Sequence, residues 1–166
     1  MRLLQFAIGL VIALTVHSLL HNFFPNALAF VDVYIILVVF YAMGGNLVGT
    51  VIAGVAAGFV QDAFSGSIFG LHAFSLTLCG YLVATVASRI VLRGSLAYGG
   101  SLAGAVIVNE LVIYLLVNIL QRQRIELASQ QIALKMIITA LLGALIYQLV
   151  VLLLRREPGK RPGRAY

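Results

Sequence analysis

Asp62, Ser65 and His72 are the residues whose types could act together in a reaction. They lie in the stretch QDAFSGSIFGLHAFSLTLCGYL, which covers residues 61–82. An acid, a hydroxyl and an imidazole are the groups of an acyl-transfer triad, but such triads are defined by geometry rather than by spacing. The sequence contains no nucleophile elbow, metalloprotease helix or phosphate-binding loop. We therefore predict that the chain is not an enzyme and has no catalytic residue.

Histidines and acids could instead bind a metal ion. Five side chains of metal-binding types are expected near one side of the molecule: His17, His21, His72, Asp32 and Asp62. Their spacings match no zinc signature. The single cysteine, Cys79, excludes a cysteine-rich cluster and an intrachain disulfide. We predict neither a metal nor any other cofactor.

Both aspartates also have a structural explanation. Asp32 lies near the predicted start of a helix, where a carboxylate can bind free backbone N–H groups. Asp62 lies at the predicted end of one, where the helix dipole disfavours an acid. We expect Asp62 to fold back through a turn at Ser65, Gly66 and Ser67 and to cap the next helix, with His72 as its partner. We expect Gly70 to let that next helix start close to its neighbours.

Glu110 is the polar residue with the least expected position. It follows Asn109 inside a long uncharged run. A charged side chain at the middle of a membrane helix costs at least ~2.5–3.5 kcal/mol on insertion scales, so it should face protein or water. We expect no basic residue at the same depth. The open alternatives are an ion or proton site, a bond to another subunit, and a buried bond to a hydroxyl group.

The elements that carry these residues follow from composition. The chain has 166 residues, of which 62% are hydrophobic and 10% are charged, whereas soluble domains have about 25% charged residues. Long uncharged runs indicate an all-α integral membrane protein. We predict six transmembrane helices, at about residues 3–20, 27–43, 47–61, 70–91, 99–120 and 132–154. Residues 1–154 then form one transmembrane domain, and residues 155–166 a basic, disordered tail.

The distribution of Lys and Arg predicts the orientation. With the N-terminus inside, eight cations lie on the inner side: Arg2, Arg89, Arg93, Arg155, Arg156, Lys160, Arg161 and Arg164. Three lie on the outer side: Arg122, Arg124 and Lys135. The positive-inside rule therefore predicts a multi-pass protein of the cytoplasmic membrane with both termini in the cytoplasm. The basic tail is expected to contact anionic lipids rather than nucleic acid.

Small residues predict where helices approach closely, since close packing joins helices in lipid better than the hydrophobic effect does. The third span has one stripe at Gly45, Gly49, Ala53 and Ala57 and another at Gly54 and Gly58. The fifth span has Gly100 and Gly104, and the sixth has Ala140 and Ala144. Each stripe could pack inside the bundle or bind the transmembrane helix of a partner. The sequence leaves both alternatives open.

Three segments of the central third share a pattern with a known family: VDVYIILVVFYA, GTVIAGVAAGFVQD and DAFSGSIFGLHAFSLTLCGYL. An acidic start of the second span, a Gly-rich third span that ends in Asp, and a D-x-x-S-G-x-x-x-G-L-H-A segment resemble the MreD family of bacterial rod shape-determining membrane proteins. The matching positions are Asp32, Gly54, Gly58, Asp62, Ser65, Gly66, Gly70, Leu71, His72, Ala73, Gly80 and Tyr81. Val31 stands where the family usually has proline, and Phe74 where it usually has leucine.

The resemblance implies a non-enzymatic scaffold that regulates cell shape and lateral peptidoglycan synthesis. Proteins of this family act with MreC, which has one transmembrane helix and a periplasmic domain. The implied elongation machinery also contains the actin-like MreB, the glycosyltransferase RodA and its partner transpeptidase. The implied fold is similar to the substrate-binding subunits of energy-coupling-factor transporters. The alternative function is therefore a small-molecule-binding subunit of such a transporter, with His21, Asn22, Asp62 and His72 near its ligand.

Overall fold

The chain folds into α-helices connected by short segments. The computed structural model describes residues 2–23, 30–66, 68–89, 95–121 and 129–155. These residues contain α1 (Arg2–Phe23), α2 (Val33–Ala42), α3 (Leu47–Ser65), α4 (Leu71–Arg89), α5 (Ser95–Gln121) and α6 (Ser129–Arg155). The all-helical fold class is confirmed, and most of the predicted basic tail lies outside the described residues.

Helix α2 is shorter than the predicted second span. Five of the described helices are long and apolar enough to cross a membrane, whereas α2 has only ten residues. At 1.5 Å per residue it extends about 15 Å, half of a hydrocarbon core of about 30 Å. This helix therefore covers only part of the predicted second span, residues 27–43. The reason is Asp32, whose extended backbone and capping carboxylate start the helix at Val33.

The short helix α2 lies at the centre of the bundle. It packs against each of the other five helices, and six of its residues are buried. Asp32 at its start binds Gln61 near the end of α3. Just beyond its other end, a Cβ on Gly45 would lie 4.0 Å from Ser88 Cα near the end of α4. The segment from Asp32 to Gly45 is therefore antiparallel to α3, although only the ten residues Val33–Ala42 are helical.

The contact between α3 and α4 depends on two glycines of α3. A Cβ on Gly54 would lie 2.7 Å from Thr77 Cα, and one on Gly58 would overlap the backbone of Ala73. Ala53 and Ala57 are also buried. Such close approach allows two helix backbones to meet without large side chains between them. The small-residue stripes of the third span therefore pack inside the bundle.

The turn between α2 and α3 explains two further small residues. Gly45 has a φ of 71°, which favours glycine because it has no Cβ. Asn46 then caps α3 by accepting a hydrogen bond from the backbone N–H of Gly49 at 3.1 Å. A Cβ on Gly49 would lie 2.7 Å from Asn46 Nδ2 and 3.0 Å from the hydroxyl of Tyr41. Gly45 and Gly49 thus shape this turn and its immediate contacts.

Helices α5 and α6 pack through a different set of small residues. A Cβ on Gly99 would lie 3.8 Å from the Cβ of Ala144 and 3.9 Å from the carbonyl oxygen of Ala140. By contrast, Gly100 and Gly104 are exposed, and nothing lies within 4 Å of the position of their Cβ atoms. Internal packing at Gly100 and Gly104 is therefore not observed among the described residues. Their role in binding a partner stays a prediction.

Candidate functional site

The segment between α3 and α4 is organised by the carboxylate of Asp62. Its Oδ2 accepts from the backbone N–H of Gly70 at 2.9 Å and of Ala73 at 3.2 Å. Its Oδ1 accepts from the backbone N–H of His72 at 2.9 Å and lies 2.8 Å from His72 Nδ1. These N–H groups at the start of α4 have no acceptor inside the helix. The predicted capping of α4 by Asp62, with His72 as its partner, is confirmed.

The turn itself uses two glycines in left-handed conformations. Helix α3 continues to Ser65, so Asp62 lies in its last turn, and Gly66 ends it with a φ of 63°. Gly70 has a φ of 94°, and a Cβ on it would contact nothing within 4 Å. The expected reason for Gly70, close approach to its neighbours, is therefore wrong. The backbone conformation requires glycine here. Ser67 lies outside the described residues.

The arrangement at this corner is suited to folding rather than to chemistry. A carboxylate offers about four acceptor positions, and four contacts occupy those of Asp62, whose exposure is only 3%. Among the proposed metal-binding side chains, His17 instead packs against the ring of Tyr34 at 5.3 Å. No group of three such side chains converges within the described ranges. Asp62 and His72 are positioned to join two helices.

A second set of polar side chains lies inside the helical bundle, and four of them are at similar distances from their helix ends. His17 in α1, Gln61 in α3, Ser75 in α4 and Asn109 in α5 are each 14 or 15 residues from the helix end on the same side of the bundle. At 1.5 Å per residue, each is about 21 Å from that end. We call these side chains, together with Asp32, Glu110 and Lys135, the polar layer. It lies within the predicted hydrocarbon region, where unpaired polar groups are costly.

Hydrogen bonds within the polar layer connect helices that are distant in sequence. Gln61 Nε2 donates to Asp32 Oδ2 at 3.3 Å, which joins α3 to the start of α2. Asp32 Oδ1 accepts from the backbone N–H of Tyr34 at 3.1 Å, so the predicted helix-capping role of Asp32 is confirmed. The Ser75 hydroxyl donates to Asn109 Oδ1 at 2.7 Å, which joins α4 to α5. These bonds satisfy groups that the membrane itself cannot hydrogen-bond.

Glu110 forms an ion pair that the sequence analysis did not anticipate. Lys135 Nζ donates to Glu110 Oε1 at 2.5 Å. The side chain of Lys135 is 18% exposed, and that of Glu110 is 21% exposed. The expectation that no basic residue lies at the depth of Glu110 is therefore wrong. Helix α6 begins at Ser129, so Lys135 is well inside it, not in an outer loop. Its long side chain can follow the helix surface to reach an acid on α5.

Gln61, Ser75 and Lys135 were missed by sequence reasoning. Their types are common in loops and on helix surfaces, so each residue alone carries little information. The signal that could have identified Gln61 and Ser75 is their equal distance from the helix ends on one side of the bundle. Lys135 is the fourth residue of the predicted sixth span but the seventh residue of α6, so it was counted with the outer cations although it lies further inside the helix.

The model of the family described as rod shape-determining protein MreD matches residues 1–156. The chain belongs to the MreD family. The match extends the resemblance seen in the central third to every described helix, since α6 ends at Arg155. MreD-family membership gives the protein a role in rod shape determination, and its long apolar helices make it a multi-pass membrane protein. No curated protein and no solved structure significantly matches the chain.

The remaining positions of the MreD pattern have two kinds of surroundings. A Cβ on Gly80 would lie 2.9 Å from side-chain carbons of Thr50 and Val38, so this glycine lets α4 approach α2 and α3. Leu71 is buried at the start of α4. Tyr81, in contrast, is 47% exposed on the outside of the bundle. Tyr81 is therefore available to lipid or to a partner, whereas Gly80 and Leu71 contribute to internal packing.

Proposed function

We propose that this MreD-family protein is a non-enzymatic membrane scaffold that acts with MreC to regulate lateral peptidoglycan synthesis. The proposal rests on the structural roles of Asp62 and His72 at the α3–α4 turn. These chemically versatile residues of the family pattern hold the start of α4, with Asp62 accepting three backbone N–H groups. A pattern devoted to shaping a helix bundle supports a protein that presents surfaces to partners. MreB, RodA and its partner transpeptidase would join this complex through the elongation machinery.

The proposed MreC-binding surface is the exposed face of α5 that contains Gly100 and Gly104. The two stripes of the third span are occupied by contacts within the bundle, whereas these glycines have open space around them. Small residues allow a second transmembrane helix to approach the backbone closely. Ile107 and Leu111, both about half exposed, continue this face along α5 and would contact the same partner helix.

Co-purification with MreC tests this surface. Gly104→Leu is expected to reduce the recovered complex at least tenfold while the protein itself stays folded. The matched control is Ala133→Leu, which places the same side chain at an exposed position of α6. Equal recovery of MreC with both variants would show that the interface does not include Gly104. Failure of the unmodified protein to bind MreC under any condition would contradict the scaffold proposal as a whole.

The proposed orientation places both termini in the cytoplasm. The position of Lys135 supports it, because this residue lies in an ion pair inside the bundle and leaves the set of outer loop cations. The balance of the remaining Lys and Arg residues becomes eight inner against two outer, which strengthens the positive-inside argument. In a Cys79→Ala background, Asn22→Cys should react with an impermeant thiol reagent on intact cells, and Ser88→Cys only after permeabilisation. The reverse pattern would invert the topology.

The alternative function is a small-molecule-binding subunit of an energy-coupling-factor transporter, with the fold similarity that this implies. The polar layer supports this alternative, because Asp32 and Gln61 supply buried polar groups within the bundle. A thermal-shift screen of vitamins distinguishes the two functions. A strong and specific stabilisation by one vitamin would support the transporter subunit, and stabilisation by MreC alone would support the scaffold.

A further inference from the structure

Two buried polar atoms next to Asp32 lack a hydrogen-bond partner within the part of the chain that the structure describes. They are the hydroxyl of Tyr34 and Oε1 of Gln61. Tyr34 is completely buried, and Gln61 is 9% exposed. The backbone N–H of Tyr34 and the Nε2 of Gln61 both donate to the carboxylate of Asp32. The two unpaired atoms therefore belong to residues held by the same carboxylate.

The carboxylate of Asp32 also fixes the orientation of the Gln61 amide. The oxygens of this carboxylate accept from the backbone N–H groups of Tyr34 and Ile35, and the amide nitrogen of Gln61 faces it as a third donor. Rotating the amide by 180° would place two acceptor oxygens against each other and lose the 3.3 Å bond. The unpaired atom of Gln61 is consequently its oxygen, which requires a hydrogen-bond donor. The Tyr34 hydroxyl can either donate or accept.

The surroundings indicate that a donor is needed from outside the described side chains. Lys135 of α6 is a donor within the polar layer, but its ammonium group contacts Glu110 at 2.5 Å. His17 faces the ring of Tyr34 at a centroid distance of 5.3 Å. Buried polar atoms without a partner carry the full cost of losing water, and proteins commonly satisfy them with a bound water that makes two to four hydrogen bonds.

We propose that the junction of α1, α2 and α3 is a binding site for a small molecule with O–H or N–H donors. This molecule donates to Gln61 Oε1 and bonds to the hydroxyl of Tyr34 beside the carboxylate of Asp32. Water has this chemistry, and so does a small solute with a hydroxyl or amine group. The site is separate from the exposed face of α5, so it does not depend on the proposed binding of MreC.

Tyr34→Phe tests the proposal, with Tyr98→Phe as its matched control. Both tyrosines are fully buried, but the hydroxyl of Tyr98 already donates to the carbonyl oxygen of Ile36 at 2.8 Å. The control loses a formed hydrogen bond, so its apparent Tm should fall by about 2–4 °C. If Tyr34 holds a bound donor, Tyr34→Phe should lower the Tm by a similar amount. An unchanged or raised Tm for Tyr34→Phe, beside a lowered Tm for Tyr98→Phe, overturns the proposal.

Native mass spectrometry of the dialysed protein identifies the source of the donor. A stoichiometric bound mass that is lost in Tyr34→Phe identifies a solute. A lowered Tm without any bound mass identifies water, which supports the same site. A bound mass that remains in Tyr34→Phe, whose Tm is also unchanged, lies elsewhere and contradicts the proposal. If the unmodified protein does not bind MreC but Tyr34→Phe still lowers the Tm, only the scaffold proposal is contradicted.

Discussion

The α3–α4 pair and the α5–α6 pair solve the same packing problem with different chemistry. In α3–α4, Gly54 and Gly58 bring two backbones together, and Asp62 caps the following helix. In α5–α6, an ion pair between Glu110 and Lys135 joins the helices, while Gly100 and Gly104 remain exposed. Glycines at the same four-residue spacing thus have opposite surroundings in the two pairs. The difference indicates that α3–α4 is specified by shape, whereas α5–α6 adds an ion pair to its small-residue contacts and keeps a face available.

Gly58→Leu should produce the largest effect. A side chain at Gly58 overlaps the backbone of Ala73, which cannot move without displacing α4. Overpacking usually costs about 1–3 kcal/mol, and backbone displacement places this variant at or above the upper limit. The yield of monodisperse protein after detergent extraction should fall severely. A well-folded Gly58→Leu protein would show that the α3–α4 contact is not specified by shape.

Lys135→Met should be the next most destabilising change. It leaves Glu110 without its cation inside the bundle, and removing one member of a largely buried pair should cost about 2–3 kcal/mol. The double variant Lys135→Met/Glu110→Gln removes both charges and should recover most of that loss. Thermal unfolding of the unmodified protein, both single variants and the double variant measures the coupling between Lys135 and Glu110. If the double variant is less stable than Lys135→Met, the charge-based account of α5–α6 is wrong.

Asp62→Ala should destabilise the protein by about 2 kcal/mol. The change removes the acceptor for three N–H groups at the start of α4, and loss of a capping side chain typically costs about 0.5–2 kcal/mol. Asp62→Asn retains one acceptor oxygen and should lose less. Hydrogen exchange of the first turn of α4 should increase in the same order. Unchanged hydrogen exchange in Asp62→Ala would show that Asp62 does not cap α4.

Gly104→Leu should have the smallest effect on stability. The position is exposed and its Cβ would meet no atom within 4 Å, so the Tm should change within the range of surface substitutions, about ±0.5 kcal/mol. This small change in stability contrasts with the large loss that we expect for Gly58→Leu. A strongly lowered Tm would mean that Gly104 packs inside the protein, and the comparison of the two helix pairs would lose its basis.

Local features of the site were predictable from sequence. Asp32 and Asp62 act on backbone groups two to eleven residues away, and capping preferences are expressed over such short distances. The turn after α3 was predictable for the same reason, because Gly66 supplies a left-handed residue at the helix end. The length of α2 was not, since apolar residues before Asp32 looked equally suitable for a longer span.

The contacts between distant residues were not predictable. Lys135 and Glu110 are 25 residues apart, and Gln61 and Asp32 are 29 apart. Whether such residues meet depends on the rotation of each helix about its axis and on its vertical shift in the bundle. A single sequence contains little direct signal for either quantity, because apolar side chains occur on both the inward and the lipid-facing sides of membrane helices.

The sequence by itself determined the membrane class, most of the helices, the family pattern and the caps at Asp32 and Asp62. These properties arise from apolar run length and from interactions between near neighbours in the chain. Only the tertiary structure decided which glycines face a neighbouring backbone, which acid is paired with Lys135, and which buried atoms remain unpaired. Gly58 and Gly104 have similar local sequences, so only the presence of α4 beside one of them gives the two glycines different roles.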